Sequence, residues 1–220
     1  MLLPLAKHVP EDVRLTWLDD VTARGPFWFI ADESDLQTLS LNRQAEEWLS
    51  EHACKVDTQV AGSARVSRFI GAQGEIGRAG ASGEVDAAFA DEIALLTYNL
   101  SQPELRPGEE LCVELNWQTL QAPIADYTVF VHVIDSQSRL VAQNDLQPVG
   151  GFAPTGGWAT GSAITDRHGI LLPDDLPPGE YVLRLGMYRS NDQSPVPITR
   201  GEEVSPDGKA IVLGSLSVIP

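Results

Sequence analysis

The sequence predicts an α+β N-terminal unit followed by an all-β antiparallel sandwich of jelly-roll or immunoglobulin-like type. Three observations predict it: one run with a helical period near residue 45, a glycine-rich stretch over residues 71–90, and alternating strands from residue 91 onward. The 220 residues suffice for one full core and a second, smaller unit, because domains cluster near ~100 to 150 residues. The expected divisions are a small α/β unit over 1–70, a Gly/Ala-rich linker over 71–90 and a β-sandwich domain over 91–220.

In the first unit, Val13–Leu18 alternates apolar with polar and Phe27–Ile30 follows a Gly25-Pro26 break, which predicts two short strands. Ser40 caps a predicted helix in which Leu41, Ala45, Trp48, Leu49 and Ala53 recur on one face, with Arg43, Glu46, Glu47 and Ser50 elsewhere. Cys54–Val60 and Ala64–Ile70 read as a strand pair around Ala61-Gly62-Ser63. No glycine-rich phosphate loop precedes the helix. Gly71, Gly74, Gly77, Gly80 and Gly83 are interleaved with small residues that bury little, so the stretch reads as a linker.

The sandwich strands are read in turn. Ile93–Leu100 is the first. Leu111, Val113, Leu115 and Trp117 alternate with Cys112, Glu114 and Asn116 to make a half-buried second. Tyr127–Ile134 is almost continuously apolar and reads as a central strand covered on both faces. Arg139–Gln143 returns beside it, and Ala163–Leu172, Tyr181–Tyr188 and Ala210–Ile219 follow. Arg106-Pro107-Gly108-Glu109 and Pro177-Pro178-Gly179-Glu180 look like equivalent turns leading into strands.

Acidic residues outnumber basic ones 31 to 15, a formal charge of −16, and this field repels phosphate backbones and anionic lipid headgroups. Nucleic acid is excluded as a partner; a neutral glycan, a cation or another protein remains. The opening seven residues lack a basic n-region and carry too short an apolar run for a signal peptide. No stretch approaches the ~18 to 20 apolar residues of a membrane span. Cys54 and Cys112 are either two buried free thiols or one bridge between the units, and a bridge requires an oxidising compartment.

Catalytic motifs are absent. His8, His52, His132 and His168 stand in no metal spacing, and no G-x-S-x-G elbow presents a serine. Asp126, Asp135 and Asp145, with Asp91, Glu92 and Asp166, fall at strand ends. A structural Ca²⁺ is one reading of the first three, solvated turn residues the other. Aromatic rings stack on the apolar faces of sugars while polar neighbours bond the hydroxyls. Trp158, in the loop Pro154–Gly161, is thus a candidate ligand contact or a packed lid. Thr155 of the same loop and His132 complete the candidate binding set, His132 having a core or interface role as its alternative.

Residues 93–220 resemble the soluble C-terminal region of membrane glycosyltransferases related to the dolichyl-phosphate-mannose protein mannosyltransferase family. The resemblance rests on Leu95-Leu96-Thr97-Tyr98, the Pro107-Gly108 turn before a strand ending in Asn116-Trp117-Gln118, and Asp126–Asp135. Val141–Asp145, Pro148, Gly150, Pro154-Thr155, Trp158, Gly161 and Leu176–Tyr181 follow in the same order. Phe27–Ile30, Ala45–Leu49 and Ala64–Phe69 are similar to the segment after the last membrane span of such proteins. The resemblance implies an extracytoplasmic domain that presents or recognises an acceptor, reaching the membrane only through an upstream region. It implies no catalytic residue here, because the family's acidic residues lie in an early loop that this chain does not contain.

Three functions follow as expectations. The first is a non-catalytic accessory module of a membrane glycosyltransferase-like protein that recognises a glycan or a protein acceptor. The second is a protein-protein interaction sandwich with no small ligand. The third is a hydrolase with a scattered site, which a cleft joining paired carboxylates would reveal.

Overall fold

The computed structural model describes residues 18–23, 25–32, 36–71 and 81–220. The expected strand at Val13–Leu18 lies outside the described residues apart from Leu18, which opens a helical turn over 18–22. The elements then run β1 (Phe27–Asp32), α1 (Leu36–His52), β2 (Ala53–Ala61), β3 (Ala64–Gly71), β4 (Ser82–Phe89), β5 (Ile93–Leu100), β6 (Glu104–Leu105) and β7 (Glu110–Thr119). They continue with β8 (Tyr127–Ile134), β9 (Leu140–Leu146), β10 (Ala163–Leu171), β11 (Gly179–Arg189), β12 (Ile198–Arg200) and β13 (Ile211–Val218). Of the glycine-rich stretch, Gly71 ends β3, residues 72–80 lie outside the described residues, and 82–89 form β4.

The fold is mostly β, in two sheets. One has eight strands in the order β1-β3-β2-β10-β7-β5-β4-β12, the other five in the order β6-β13-β11-β8-β9. Both are mixed and not purely antiparallel, which corrects the expected all-antiparallel sandwich. β10 meets β2 in parallel at His168 and Lys55, and β13 meets β6 in parallel at Ser217–Val218. Each parallel pair joins segments far apart in sequence, so no hairpin dictates their relative direction.

One apolar core lies between the sheets. Leu111, Val113, Leu115 and Trp117 of β7 point into it as their alternation predicts, opposite Val129, Val131 and Val133 of β8 and Leu183, Leu185 and Met187 of β11. Gly108 adopts φ +78° in the turn before β7, a left-handed conformation suited to glycine. Among the described residues no helix is long and apolar enough to cross a membrane.

α1 begins at Leu36, so Ser40 lies within it and not at its cap. Ala45 and Leu49 are buried with Leu18 and Phe69 as the helical period predicts, whereas Ala53, expected on the same helical face, is buried as the first residue of β2 because the helix ends at His52. Glu46 and Ser50, expected on other faces, are also buried. The helix has cover on two flanks: Glu46 bonds Lys55 Nζ at 2.9 Å and pairs with Arg65, while Ser50 packs against Gly150 in the 149–151 turn.

The start of β2 is tied to the second half of the chain in three ways. Cys54 and Cys112 form a disulfide with Cα atoms 5.6 Å apart, so the free-thiol reading does not hold. β10 lies between β2 and β7, and Gly169, the register partner of Cys112, leaves room for β2 to pass. The third tie is a buried polar chain. Asn144 donates both amide hydrogens to the carbonyls of Lys55 and Val56, at 3.2 and 3.1 Å, so its Oδ1 accepts from His168 Nδ1 at 2.8 Å. His168 Nε2 faces Asp166 Oδ2 at 2.8 Å, and the Val149 N–H donates to Asp166 Oδ1. Burial pushes the Asp166 carboxyl up, but the His168 charge and these hydrogen bonds outweigh it and hold the carboxyl below its usual range. Asp166 is therefore ionised.

A methyl group at Gly169 would sit 2.7 Å from Val56 Cγ2 and 3.1 Å from the Cys54 carbonyl oxygen. Gly169→Ala is accordingly expected to lower stability by about 1–3 kcal/mol through overpacking. A urea titration checks it, and an unchanged midpoint would contradict the close passage.

Candidate functional site

β8 sends Val129, Val131 and Val133 inward, so Thr128, Phe130, His132 and Ile134 stand on the outer face of the five-stranded sheet. This face is open where the sequence predicted cover on both sides: Phe130 and His132 are half-buried. Register supplies their neighbours. Phe130 lies opposite Asp145 on β9 and Gly186 on β11, and His132 lies opposite Gln143 and Arg184. Tyr188 lies opposite Thr128 and bridges to Pro195.

Gly186 is what lets these groups come together. A Cβ there would fall 2.3 Å from Phe130 Cζ and 2.5 Å from the Lys209 carbonyl oxygen. The ring can thus lie across the strand, and the loop before β13 can overhang it. The outcome is a trough of about 360 Å³, within the roughly 300–1,000 Å³ of small-molecule sites. Phe130 lies 4.4 Å from the His132 ring and 6.5 Å from Tyr188, whose plane is within 16° of its own.

Asp145 forms one wall. Its Oδ1 accepts from His132 Nε2 at 3.1 Å, and its Oδ2 accepts from the Tyr188 hydroxyl at 3.4 Å. Burial, then the Asp145 charge, holds the Tyr188 phenol above its ordinary value, so it keeps its proton. Arg184, Asp207 and Lys209 form the opposite wall. The arrangement can stack a ring on an apolar floor and hydrogen-bond its substituents from both sides. The described lining offers no serine or cysteine nucleophile activated by a base.

The sequence-predicted residues separate. His132 and Asp145 are brought together in the trough, as partners. Trp158 is 5% exposed, packed in the core, and its indole N–H donates to the Ala153 carbonyl at 3.0 Å. Thr155 is fully buried, accepting from the Tyr127 N–H at 2.8 Å and donating to the Ala125 carbonyl at 2.9 Å. Neither lines the trough.

The three proposed metal ligands each have other partners. Asp126 accepts from the Gly156 N–H at 2.8 Å. Asp135 closes its turn by accepting from the Gln137 and Arg139 N–H groups, and these bonds, the Arg139 one foremost, lower its pKa. Asp145 bonds His132. Among the described residues no group of three His, Cys, Asp or Glu side chains is placed to hold a metal ion.

Phe130, Arg184, Tyr188 and Lys209 were not singled out from sequence. Arg184 and Tyr188 were legible as the outward positions of β11, since Leu183, Leu185 and Met187 alternate with them. A larger cleft of about 610 Å³ lies between β4, β5 and β13 and is lined by Glu84, Asp86, Glu202, Glu203 and Tyr98. Asp86 there pairs with Arg200 at 2.7 Å. The smaller trough is the better candidate, because it alone of the two combines several aromatic rings with hydrogen-bonding groups of both signs.

No family model matches the chain, and no curated protein matches it. Among solved structures, the chain is similar to "Crystal structure of the C-terminal domain of wzt" at 14% identity and TM-score 0.43, covering 65% of this chain and 83% of that one. It is also similar to a Niemann-Pick type C2 protein from Japanese carpenter ant at 8% identity and TM-score 0.31, covering 63% of this chain and 93% of that one. Likenesses of this strength assign the chain neither a family nor a ligand.

Proposed function

We propose that this protein is a non-catalytic saccharide-binding module, of jelly-roll or immunoglobulin-like type, that acts outside the cytoplasm as an accessory to a membrane glycosyltransferase-like protein. The observation that carries the binding reading is the trough on the outer face of β8 and β11. Its ring-lined floor suits the apolar face of a sugar, and the bonded Asp145–His132–Tyr188 wall suits its hydroxyls. The disulfide supports an oxidising location, where such bonds persist. The link to a glycosyltransferase rests on the sequence resemblance over residues 93–220.

Tyr188→Ala is expected to weaken saccharide binding about tenfold, equivalent to ~1.4 kcal/mol, with little loss of stability because the ring is only half-buried. Screening on a glycan array followed by calorimetric titration of wild type and variant checks it. Equal affinity of the two proteins for a saccharide the array selects would remove the trough from consideration.

A further inference from the structure

We infer that the trough takes a saccharide bearing an anionic group, a uronate carboxylate or a phosphate ester, read by Arg184 and Lys209 while the sugar ring lies along Phe130 and Tyr188. The inference rests on the saccharide reading above and adds the charge of the ligand to it.

The two walls differ in what they leave unmet. The anions are satisfied within the protein. Asp145 accepts from His132 and Tyr188, and Asp207 accepts from the Ser205 hydroxyl and the Lys209 backbone N–H. The cations are not. Arg184 Nε is buried without a hydrogen-bond acceptor among the described residues. Asp207 feels the charge of Arg184 and of Lys209, yet neither comes within ion-pair distance of a described carboxylate. Arg184 stands directly across from His132, so its guanidinium borders the ring floor, and Lys209 is carried above it on the overhanging loop.

A planar guanidinium beside an ammonium matches a carboxylate or phosphate better than a hydroxyl, because the fork accepts two oxygens and both charges are complemented. The net charge of −16 opposes an anionic ligand at long range. Charges farther away than the Debye length, about 8 Å at physiological salt, are largely screened. The groups inside the trough therefore decide.

The test is an array that presents each saccharide backbone in neutral, uronate-bearing and phosphate-bearing forms, followed by calorimetry at low and high salt with wild type, Arg184→Gln and Lys209→Gln. Binding is expected to favour an acidic form over its neutral counterpart by about tenfold or more, and the preference should shrink as salt rises. The uronate and phosphate arms distinguish the two sources of charge. Each substitution should narrow the preference by weakening binding of the acidic form more than that of the neutral form, and Lys209→Gln, on an exposed loop, keeps the test valid if Arg184→Gln folds poorly. Equal binding of neutral and acidic forms by wild type would overturn this inference and leave the saccharide reading standing. No signal from any form would overturn both.

Discussion

Glu46→Ala is expected to destabilise the protein by about 3–5 kcal/mol, the usual consequence of removing one member of a buried ion pair. Glu46 is fully buried in α1 and serves two cations on the adjoining hairpin, Lys55 at 2.9 Å and Arg65, with the Ser67 hydroxyl 3.4 Å away. Lys55 is itself 7% exposed, so without Glu46 its ammonium would be left charged in a poorly solvated site. Arg65 is more exposed and can turn toward water. The size of the effect therefore comes mainly from Lys55. Glu46→Leu combined with Lys55→Met should recover much of the loss, because no charge is then stranded. Urea titrations of the single and double variants check both statements, and a single variant within 1 kcal/mol of wild type would contradict the buried pair.

Breaking the Cys54–Cys112 bond should have an effect of similar size. Its residues are 58 apart in sequence, and closing a loop of that length in the unfolded chain corresponds to about 4 kcal/mol in the chain-entropy account. The bond fixes the start of β2 to β7 across Gly169, where β2 and β10 share a single register pair. Its loss should loosen the N-terminal hairpin and helix before the two-sheet core. Cys54→Ala with Cys112→Ala, followed by denaturant titration and amide exchange, is expected to show a lower midpoint, with faster exchange concentrated in β2 and β3. A reductant that left the midpoint of the wild-type protein unchanged would contradict this.

Much of the strand pattern could be read directly. β7 announces itself by Leu111, Val113, Leu115 and Trp117, and β2 and β3 by the turn at Gly62, because local alternation reports which face is buried. What escaped depends on partners distant in sequence. Glu46 looks like a solvent-facing helical charge until Lys55 and Arg65 are folded beneath it. The parallel seam of β2 and β10 carries no hairpin signal.

β8 misled for a different reason. Phe130 and His132, set among valines, resemble a strand covered on both sides, and only register with Gly186 and Asp145 shows that they face outward. Trp158 drew attention as a loop aromatic, yet the loop folds inward and gives its N–H a carbonyl partner. Lys209 and Asp207 reach the trough through a turn whose direction no periodicity encodes.

If the trough binds saccharide, recognition takes place on the outer face of β8 and β11, away from the loop around Trp158. The most direct measurement is a nitrogen-15 correlation NMR titration with a saccharide selected on the array. Shift changes are expected to concentrate at Phe130, His132, Asp145, Arg184, Gly186 and Tyr188. Changes confined to residues 154–161 or to the acidic cleft beside Tyr98, with these six unmoved, would contradict it.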